Sequence, residues 1–600
     1  MSNDIIDDIE HVLISSNPQA IDISIIEQSK ASFPSSSLLE SALSNKFEDK
    51  QDEIEFYDVI IIGAGLAGLS AGYNLKKADK NLNILIVEAK NRIGGRTQTI
   101  KLKSSKADTL AAYDVGGQWV CDTQVHVTSL LKEFNIPTYK QYDKGISVLE
   151  ANGKLSKYKT KIPNISLSSL IDLQFMMMKM NRLCTKTSTL DPFIVMDYAR
   201  SLDKSNIEEV LYKNAYTSTS KSIFDAAIRA IYGLEASQLN ALFGLMYIKS
   251  GGGSIEAISL TEKDCAQEKR VKGGTQQISQ HLLNSILSDP SRAKIIFESP
   301  LVEVNQEQAD RVFIKVSNLN ANCEEIYCCK KLISSIPINQ YSTIKFSPSL
   351  PFNKRNFFSF CRIGNYIKTV ITYKKAFWLE KGYSGMVVSD SSIISDNNTK
   401  SQNYPKYGPL TTVFDGTTDD GEPALVTFSC GNPAVEWQDQ EYEVRKNEVI
   451  NALVRYFGLE ASDYIDYYEK NWNSELYGGG CPNISVVASG TMHEYARATR
   501  EPFLNLHICG TESATQWQGY MDGAIESGIR VANEVAYCFN KTNPNVKFDF
   551  TKTYYFQNEE IHRLKFLNNQ STGFSFRRRY VLIAASVSII CFCSYKYLTK

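Results

Sequence analysis

Three glycines between a strand-like run and a helix-like run could bind a phosphate-bearing cofactor. Residues 59–62 form an unbroken β-branched run, which is expected of a strand buried on both faces. After it, Gly63 allows a tight turn, Gly65 lets the backbone approach a pyrophosphate, and Gly68 lets the next helix pack closely on the strand. Glu88, 20 residues after Gly68, is placed to accept hydrogen bonds from ribose hydroxyls. The spacing therefore predicts a Rossmann-like site for a dinucleotide, either NAD or FAD.

The loop after Glu88 helps to distinguish these two cofactors. It places Arg92, Gly95 and Arg96 just after the ribose-binding acid, and an NAD domain does not need these residues. Two arginines at this position can neutralise a cofactor that permanently carries its own phosphates. Farther on, Gly117 belongs to a second glycine pair beside an apolar run. The loop therefore favours FAD.

The motifs at residues 63–68, 94–97 and 114–119 together resemble the flavin-containing amine oxidases. That family includes monoamine oxidases, polyamine oxidases, L-amino-acid oxidases and flavin histone demethylases. The resemblance covers residues 56–539 and implies an α/β fold, in which a Rossmann-like FAD-binding domain built from discontinuous segments is interleaved with a mixed α+β substrate domain. The expected segments are a disordered extension (1–55), FAD-binding parts (56–140, 270–340 and 471–540), substrate-domain parts (141–269 and 341–470), a linker (541–579) and a transmembrane tail anchor (580–597).

Cys481, which follows three glycines, is the residue that discriminates best within the family. Monoamine oxidases carry FAD through a thioether on a cysteine in this Trp…Tyr-x-Gly-Gly-Cys context, and polyamine oxidases and histone demethylases generally lack it. The resemblance therefore implies covalent 8α-S-cysteinyl FAD on Cys481. The alternative is an inert buried thiol, which is the usual state of a cysteine.

The resemblance also implies roles for residues that approach the flavin from other segments. Thr511 and Glu512 would lie beside the pyrophosphate and ribityl chain, and Met521 would begin a helix whose dipole points at the pyrimidine end. Lys368 would hold a water against the flavin N5, and Tyr520 would pack against the substrate. Alternation alone favours a solvent-facing Lys368, whereas its Gly-x-x-Ile-Lys context, shared with monoamine oxidases, favours a buried one.

Two positions depart from the monoamine oxidase pattern, and both concern the substrate. The second tyrosine of the aromatic cage is replaced by Pro482, and Ser250 stands where the family has a glutamine. The run at residues 173–178 (LQFMMM) is another candidate substrate-side feature. We interpret it as core or cavity lining, and the alternative is a cofactor or partner surface.

Composition excludes several other functions. The formal net charge of −1 indicates no nucleic-acid partner, and the 13 cysteines show no zinc-type spacing, so no metal is expected. Reduced cysteines fit a protein that faces the cytosol, and the N-terminus is not typical of a secretory signal.

The C-terminal tail predicts a membrane anchor. An uncharged run at residues 580–595 lies between Arg579 and Lys596 and would span roughly 24 Å as a helix. This is short of a ~30 Å hydrocarbon core, but the flanking basic residues can snorkel. Such tails favour the mitochondrial outer membrane with the enzyme facing the cytosol, or otherwise another intracellular membrane. The alternative is an amphipathic or buried helix.

The predicted function is FAD-dependent oxidative deamination of primary amines, with secondary amines as a further class. Oxygen is the second substrate, and the products are aldehyde, ammonia and hydrogen peroxide. The expected partners are the small amine, O2 and the lipid bilayer, and a homodimer is left open. The alternatives are a polyamine or L-amino-acid oxidase on the same scaffold, or a flavin-bound protein without amine turnover.

Overall fold

The computed structural model describes residues 54–540, except 107–108, 160–161, 194 and 393–404. The predicted N-terminal extension (except its last two residues), the linker and the tail anchor lie outside these residues. Within the described residues, no helix combines the length and the apolarity needed to cross a membrane. The first part of the chain contains β1 (Phe56–Ile62), α1 (Leu66–Ala78), β2 (Ile84–Val87), β3 (Thr99–Lys103), β4 (Leu110–Asp114), β5 (Trp119–Val120), α2 (Val125–Glu133) and β6 (Thr138–Lys140).

A mostly helical stretch follows and leads back to strands. It contains β7 (Ile146–Ala151), β8 (Lys154–Tyr158), α3 (Leu167–Cys184), α4 (Met196–Asp203), α5 (Ile207–Leu211), α6 (Ser218–Tyr232), α7 (Ala241–Ser250) and α8 (Ile255–Ser259). The chain continues with β9 (Lys269–Val271), α9 (Gln276–Ile286), β10 (Ala293–Ile296), β11 (Leu301–Asn305), β12 (Val312–Asn318), β13 (Cys323–Ser334) and β14 (Lys345–Ser347).

The remaining elements alternate strands with helices. They are α10 (Phe352–Ser359), β15 (Cys361–Ile363), β16 (Tyr366–Tyr373), α11 (Phe377–Glu380), β17 (Tyr383–Ser389), β18 (Thr412–Asp415), β19 (Ala424–Cys430), α12 (Asn432–Gln438), α13 (Tyr442–Phe457), β20 (Tyr464–Asn471), β21 (Ile484–Val486), α14 (Tyr495–Arg500), β22 (Leu506–Ile508) and α15 (Met521–Asn540).

The larger sheet is built from three separated parts of the chain. Strands β10, β2, β1, β13 and β22 are parallel. The first half of β13 also pairs with β12, and β11 and β14 follow β12 in the sheet. Because parallel strands end at the same edge, Gly63, Glu88, Ser335 and Cys509 come together there. The predicted α/β class with mixed sheets is confirmed.

A second sheet has the order β20-β16-β19-β18-β17-β7-β8, with β17 and β7 the parallel pair. Every residue of β16 is buried, since one face packs on helix α13 and the other on the aromatic cluster around Trp119 and Trp472. β16 lies between β19 and β20, so Lys368 is opposite Phe428 on one side and Lys470 on the other. The interior of this sheet thus holds Lys368 in place.

The helices α3–α8 share a core with the first sheet. On α3, Met176 and Met180 are buried, whereas Phe175 is 60% and Met178 is 55% exposed. The prediction that the whole methionine-rich run lines a core or cavity is therefore wrong for one face of this helix. At a period of 3.6 residues the run continues around the helix, and only the face of α3 that packs on helices α6 and α7 is buried.

Candidate active site

The glycine turn after β1 leaves a helix N-terminus open towards the sheet edge. Gly63 has a φ of +97°, which favours glycine, and a Cβ on Gly68 would lie 2.2 Å from the carbonyl oxygen of Gly63. Helix α1 begins at Leu66, and its N-cap residue, Gly65, has no side chain to cap the first N–H groups. These donors and the positive end of the helix dipole suit a pyrophosphate.

Three other glycines border space that the protein leaves unfilled. A Cβ on Gly65 would meet only the Cα of Gly95, at 3.9 Å, and a Cβ on Gly95 would meet only the Cα of Gly65, at 3.4 Å. Near Gly117 the closest atoms belong to Met521, at 3.6 Å and beyond. At Gly65 and Gly117 neither packing nor a positive φ requires glycine, so the two loops and the start of α15 form a cradle that fits a bound group.

Glu88 lies at the end of β2, where the predicted ribose site should be. Its Oε2 accepts a hydrogen bond from the N–H of Ala64 (2.7 Å), and its Oε1 accepts one from the N–H of Lys90 (3.0 Å). Burial raises the pKa of this carboxyl, against the effect of these two bonds. The carboxylate is therefore fixed in orientation, with lone pairs left for further donors.

Arg92 is engaged in an ion cluster. Glu475 accepts from Lys90 (2.5 Å), Arg92 (2.7 Å) and Lys470, and all four side chains are largely buried. Burial alone would raise the pKa of Glu475, but the three cations lower it to about 2. The cluster joins the loop after β2 to the loop that carries Cys481. Arg92 therefore stabilises the contact between these two loops, and it also donates a hydrogen bond to the carbonyl oxygen of Gly95.

We expect Glu475→Gln to lower the free energy of unfolding by about 3–5 kcal/mol, because it leaves buried cations without a counter-charge. The carboxylate pKa is lowered, so its contribution is present above about pH 4.5 and is lost as the pH falls towards about 2. Thermal unfolding at pH 7 measures the effect. Glu380→Gln, which breaks the exposed Lys375–Glu380 pair, is the matched control and should change little. Equal melting temperatures for both variants would contradict this prediction.

Arg96 connects the glycine loop to the segment after β22. Its guanidinium forms an ion pair with Glu512 (2.8 Å) and donates to the carbonyl oxygen of Pro482 (3.0 Å). Thr511, the neighbour of Glu512, uses its hydroxyl to accept from Gly519 N (2.7 Å) and to donate to Tyr520 O (3.0 Å). The predicted cofactor residues of these two segments therefore meet in one hydrogen-bonded unit.

Cys481 lies beside the same unit, and its N–H donates to the carbonyl oxygen of Gly364 (3.0 Å). Burial raises the pKa of its thiol to about 12, although the charges of Arg96 and Lys368 act in the opposite direction. The thiol packs against the aromatic cluster that contains Trp119 and Phe428. It is thus a protonated, largely buried group close to the cations of the site.

Lys368 is 2% exposed, and its ammonium contacts acceptors from the loop after β4. Nζ donates to the carbonyl oxygen of Gly116 (2.9 Å) and to Oε1 of Gln118 (2.6 Å). It also lies 5.1 Å from the ring centre of Phe428 and 6.0 Å from that of Trp119. Burial lowers the pKa of Lys368 to about 7, despite the attraction of Asp114. The expected buried lysine is present, although its role towards a cofactor stays a prediction.

Sequence reasoning missed three residues that surround Lys368. Gln118 accepts its hydrogen bond, and the rings of Trp119 and Phe428 stack with centres 5.7 Å apart. Gln118 and Trp119 lie within the motif 114–119, so their position beside a glycine pair was an available signal. Phe428 lies on β19 and could be found only from the pairing of β19 with β16.

Tyr520 follows a turn that Ser250 attaches to helix α7. Ser250 O accepts from Trp517 N (2.9 Å), and Ser250 Oγ accepts from Gln518 N (3.1 Å). The Tyr520 ring centre lies 5.1 Å from that of Trp517 and 5.8 Å from that of Tyr247. Ser250 thus holds the aromatic turn through two hydrogen bonds.

Three buried amides around this centre keep polar atoms without a partner among the described residues. They are Nε2 of Gln118 and both polar side-chain atoms of Gln124 and of Asn483. Gln124 directly precedes α2, whose first N–H groups are bound by Asp522 of α15, and Asn483 follows Pro482. Because buried polar groups are normally paired, these atoms fit a polar ligand at the site.

A model of the family described as flavin containing amine oxidoreductase matches residues 66–536. The chain belongs to this family. The probable flavin-containing monoamine oxidase A of Dictyostelium discoideum is 30% identical over 482 residues, which cover 80% of this chain and 97% of that protein. The flavin-containing amine oxidase A of Sus scrofa is 30% identical over 490 residues, which cover 81% of this chain and 86% of that protein. A solved structure of putrescine oxidase bound to putrescine has a TM-score of 0.70 and 26% identity, and it covers 80% of this chain and 99% of its own.

Flavin amine oxidoreductases bind FAD, and the described residues fit this cofactor. The open cradle at Gly65, Gly95 and Gly117 suits its pyrophosphate, and Glu88 suits its ribose. The unpartnered amide atoms offer donors and acceptors for a polar ring system. Lys368 and Cys481 lie close enough for each to affect the pKa of the other group.

Proposed function

We propose that this protein oxidises primary amines with O2 and releases aldehyde, ammonia and hydrogen peroxide. The observation that carries the proposal is the buried Lys368, held by Gly116 and Gln118 beside the stacked rings of Trp119 and Phe428. Among the described residues, no carboxylate forms an ion pair with Lys368, and a buried cation of this kind suits a site where negative charge develops during a reaction.

FAD, when bound, supplies the capacity to accept two electrons and a hydrogen from the amine carbon and to pass the electrons to O2. The protein residues exclude water, orient the amine and hold charge. Lys368, with a pKa of about 7, presents either a cation or a neutral donor near neutral pH. Tyr520 and Trp119 offer aromatic faces to an apolar amine.

Neutral monoamines are the substrate class that these contacts support best. A polyamine would need a free carboxylate for its second ammonium, but Glu512 pairs with Arg96 and Asp114 is held by Thr99 and Thr275. An amino acid would need a free guanidinium for its carboxylate, and both Arg92 and Arg96 already have carboxylate partners. The monoamine oxidase names of the relatives support the same class.

A diamine is the second candidate substrate. Its support is the similarity to putrescine oxidase over 80% of this chain. Loss of the cage tyrosine at Pro482 also removes one feature that distinguishes a monoamine site. A diamine oxidase would require a carboxylate contributed to the cavity by a residue other than Glu512 and Asp114.

We further propose that FAD is attached covalently to Cys481, as the matching motif implies.

The proposed location is the mitochondrial outer membrane, with residues 580–597 as anchor and the catalytic part facing the cytosol. The support is the basic-flanked apolar run in the sequence. A homodimer is also proposed, and sedimentation of the detergent-solubilised full chain would test it.

The substrate is tested by a peroxide assay with tyramine, benzylamine, putrescine, spermine and a mixture of L-amino acids. We expect peroxide from tyramine or benzylamine and at least roughly tenfold lower kcat/KM for putrescine and spermine, since Glu512 and Asp114 are already bound by other groups. Catalase and an FAD measurement on the same preparation serve as controls. Putrescine as the best substrate would favour the second candidate. Full FAD content without peroxide from any amine would contradict the oxidase proposal.

A further inference from the structure

Gln118 lies where the loop after β4 meets strand β16. Its side chain is 1% exposed, and its Oε1 accepts a hydrogen bond from Nζ of Lys368 (2.6 Å). The carbonyl oxygen of Gly116, two residues earlier in the same loop, accepts a second bond from this ammonium (2.9 Å). One loop therefore supplies both acceptors, one from its backbone and one from a side chain. Because only the side-chain acceptor depends on the residue type, it is the one that a substitution can remove.

Both acceptors of Lys368 are neutral. Asp114 attracts the charge of Lys368, but its Oδ1 accepts hydrogen bonds from Thr99 Oγ1 (2.7 Å) and Thr275 N (2.9 Å) instead. The other charged or titratable groups around Lys368 are Arg270, Cys481 and, directly opposite on β20, Lys470, which is paired with Glu475. A neutral amide holds the ammonium in place without fixing its charge, so burial can lower its pKa to about 7. A carboxylate in the position of Gln118 would instead hold Lys368 as a cation.

The stability of the fold does not explain the amide of Gln118. Its Nε2 is buried and has no hydrogen-bond partner among the described residues. Within this part of the chain, the bond to Lys368 is the one hydrogen bond that the side chain makes. An unpaired buried donor lowers the stability of a folded protein, and an apolar side chain of similar shape would avoid that loss. The contact with Lys368 is therefore the feature of Gln118 that needs an amide.

We propose that Gln118 is a positioning residue for Lys368, a neutral acceptor that holds the ammonium beside the rings of Trp119 and Phe428 and leaves its charge able to change. Positive charge at this place stabilises the negative charge that develops when O2 is reduced. The loss of Gln118 should therefore alter both the position and the charge of the group that responds to oxygen. This role rests on the proposed oxidase function only through the reaction with O2, and it is independent of the amine.

Two substitutions of Gln118 should change the pKa of Lys368 in opposite directions. Gln118→Leu removes the acceptor and should lower this pKa, whereas Gln118→Glu places a carboxylate on the ammonium and should raise it by at least about one unit. The purified FAD-loaded full-length protein is reduced with dithionite, and its reoxidation by O2 is followed by stopped flow from pH 5 to pH 10. The rate should fall as the ammonium loses its proton, so the midpoint of the fall reports the pKa. At pH 7 we expect reoxidation of Gln118→Leu to be roughly tenfold slower than that of the wild type.

A second measurement needs no turnover. The free energy of unfolding is measured with denaturant from pH 7 to pH 10, where a lowered pKa of Lys368 makes stability rise with pH. Because Gln118→Glu should bring this pKa closer to its value in the unfolded chain, the rise should be smaller in this variant than in the wild type.

Gln141→Leu is the matched control. Gln141 is also 1% exposed and accepts a hydrogen bond from Trp119 Nε1 (2.8 Å), and its Nε2 donates to the carbonyl oxygens of Tyr142 (3.2 Å) and Asp415 (2.9 Å). Both polar atoms of its amide are thus bonded within the protein, and neither contacts Lys368. We expect Gln141→Leu to lower the melting temperature more than Gln118→Leu does, and to leave the pH midpoint of reoxidation unchanged.

Equal midpoints in the wild type, Gln118→Leu and Gln118→Glu, or reoxidation rates that do not depend on pH, would overturn the proposal. If Gln118→Leu does not fold, Gln118→Glu decides alone, since glutamate has nearly the shape of glutamine, and an unshifted midpoint in that variant overturns the proposal. Because dithionite replaces the amine, the outcome is separate from that of the substrate assay. Opposite shifts in a protein that oxidises no amine would overturn the proposed function and support the role of Gln118.

Discussion

Cys481→Ala is expected to yield a protein that still binds FAD but releases all of it on acid precipitation. In the wild type, the flavin should instead remain in the protein pellet, because a thioether survives denaturation. The noncovalent contacts that remain in the variant are those of the cradle at Gly65 and Gly95 and of Glu88. Flavin absorbance in pellet and supernatant measures the partition.

The control for this experiment is Cys430→Ala. Cys430 is also buried in the aromatic cluster of β16 and β19, and burial likewise raises the pKa of its thiol. This variant should keep flavin in the pellet if Cys481 is the attachment site. Flavin that stays with precipitated Cys481→Ala protein would show that the attachment is elsewhere. Flavin released from the wild type would show that no covalent bond forms.

Local patterns predicted the frame of the cofactor site correctly. The turn at Gly63, the start of α1 at Leu66 and the strand before Glu88 depend on neighbouring residues, since backbone conformation and strand burial are encoded within a few positions. The strand that carries Lys368 was predicted for the same reason. Its burial depended on the family motif, because alternation alone does not say which face of a strand another sheet layer covers.

Contacts between distant segments could not be predicted. Glu475 meets Lys90 across 385 residues of sequence, and no periodicity connects an acid near Cys481 with the loop after β2. The hydrogen bonds from Trp517 and Gln518 to Ser250 also join distant segments. The sequence suggested that Ser250 concerns the substrate, whereas in the structure it holds the turn before Tyr520. The prediction for the methionine-rich run of helix α3 was partly wrong for a related reason. The apolar residues can be read from the sequence, but the side from which other helices pack on α3 cannot.

Lys368→Met is expected to slow the reaction of the reduced enzyme with O2 roughly 100-fold, which is typical for the loss of one electrostatic group that stabilises developing charge. Methionine keeps the unbranched shape of the side chain, one atom shorter, but removes the ammonium that contacts Gly116 and Gln118. Reduction by the amine should change much less. Stopped-flow measurement of both half-reactions separates the two effects, and an unchanged rate with O2 would contradict a role of Lys368 at the reacting centre.

The matched control for this substitution is Lys354→Met. Lys354 is also buried, with its pKa lowered to about 8 by burial, but it donates to three carbonyl oxygens at the end of α14, those of Arg497, Ala498 and Glu501. We expect Lys354→Met to lower the melting temperature and to leave the rate with O2 unchanged. A fall in that rate for both variants would assign the effect to lost stability and not to Lys368.

The pH dependence of stability gives an independent check on the environment of Lys368. Burial lowers its pKa from 10.5 to about 7, so between these values the unfolded chain binds a proton that the folded chain does not. The contribution of this group to the free energy of unfolding therefore rises with pH across that window. In Lys368→Met the rise should be smaller than in the wild type, as measured by denaturant unfolding from pH 7 to pH 10. Identical slopes would mean that Lys368 keeps an ordinary pKa in the folded protein, and the stated effect of burial on this group would then be wrong.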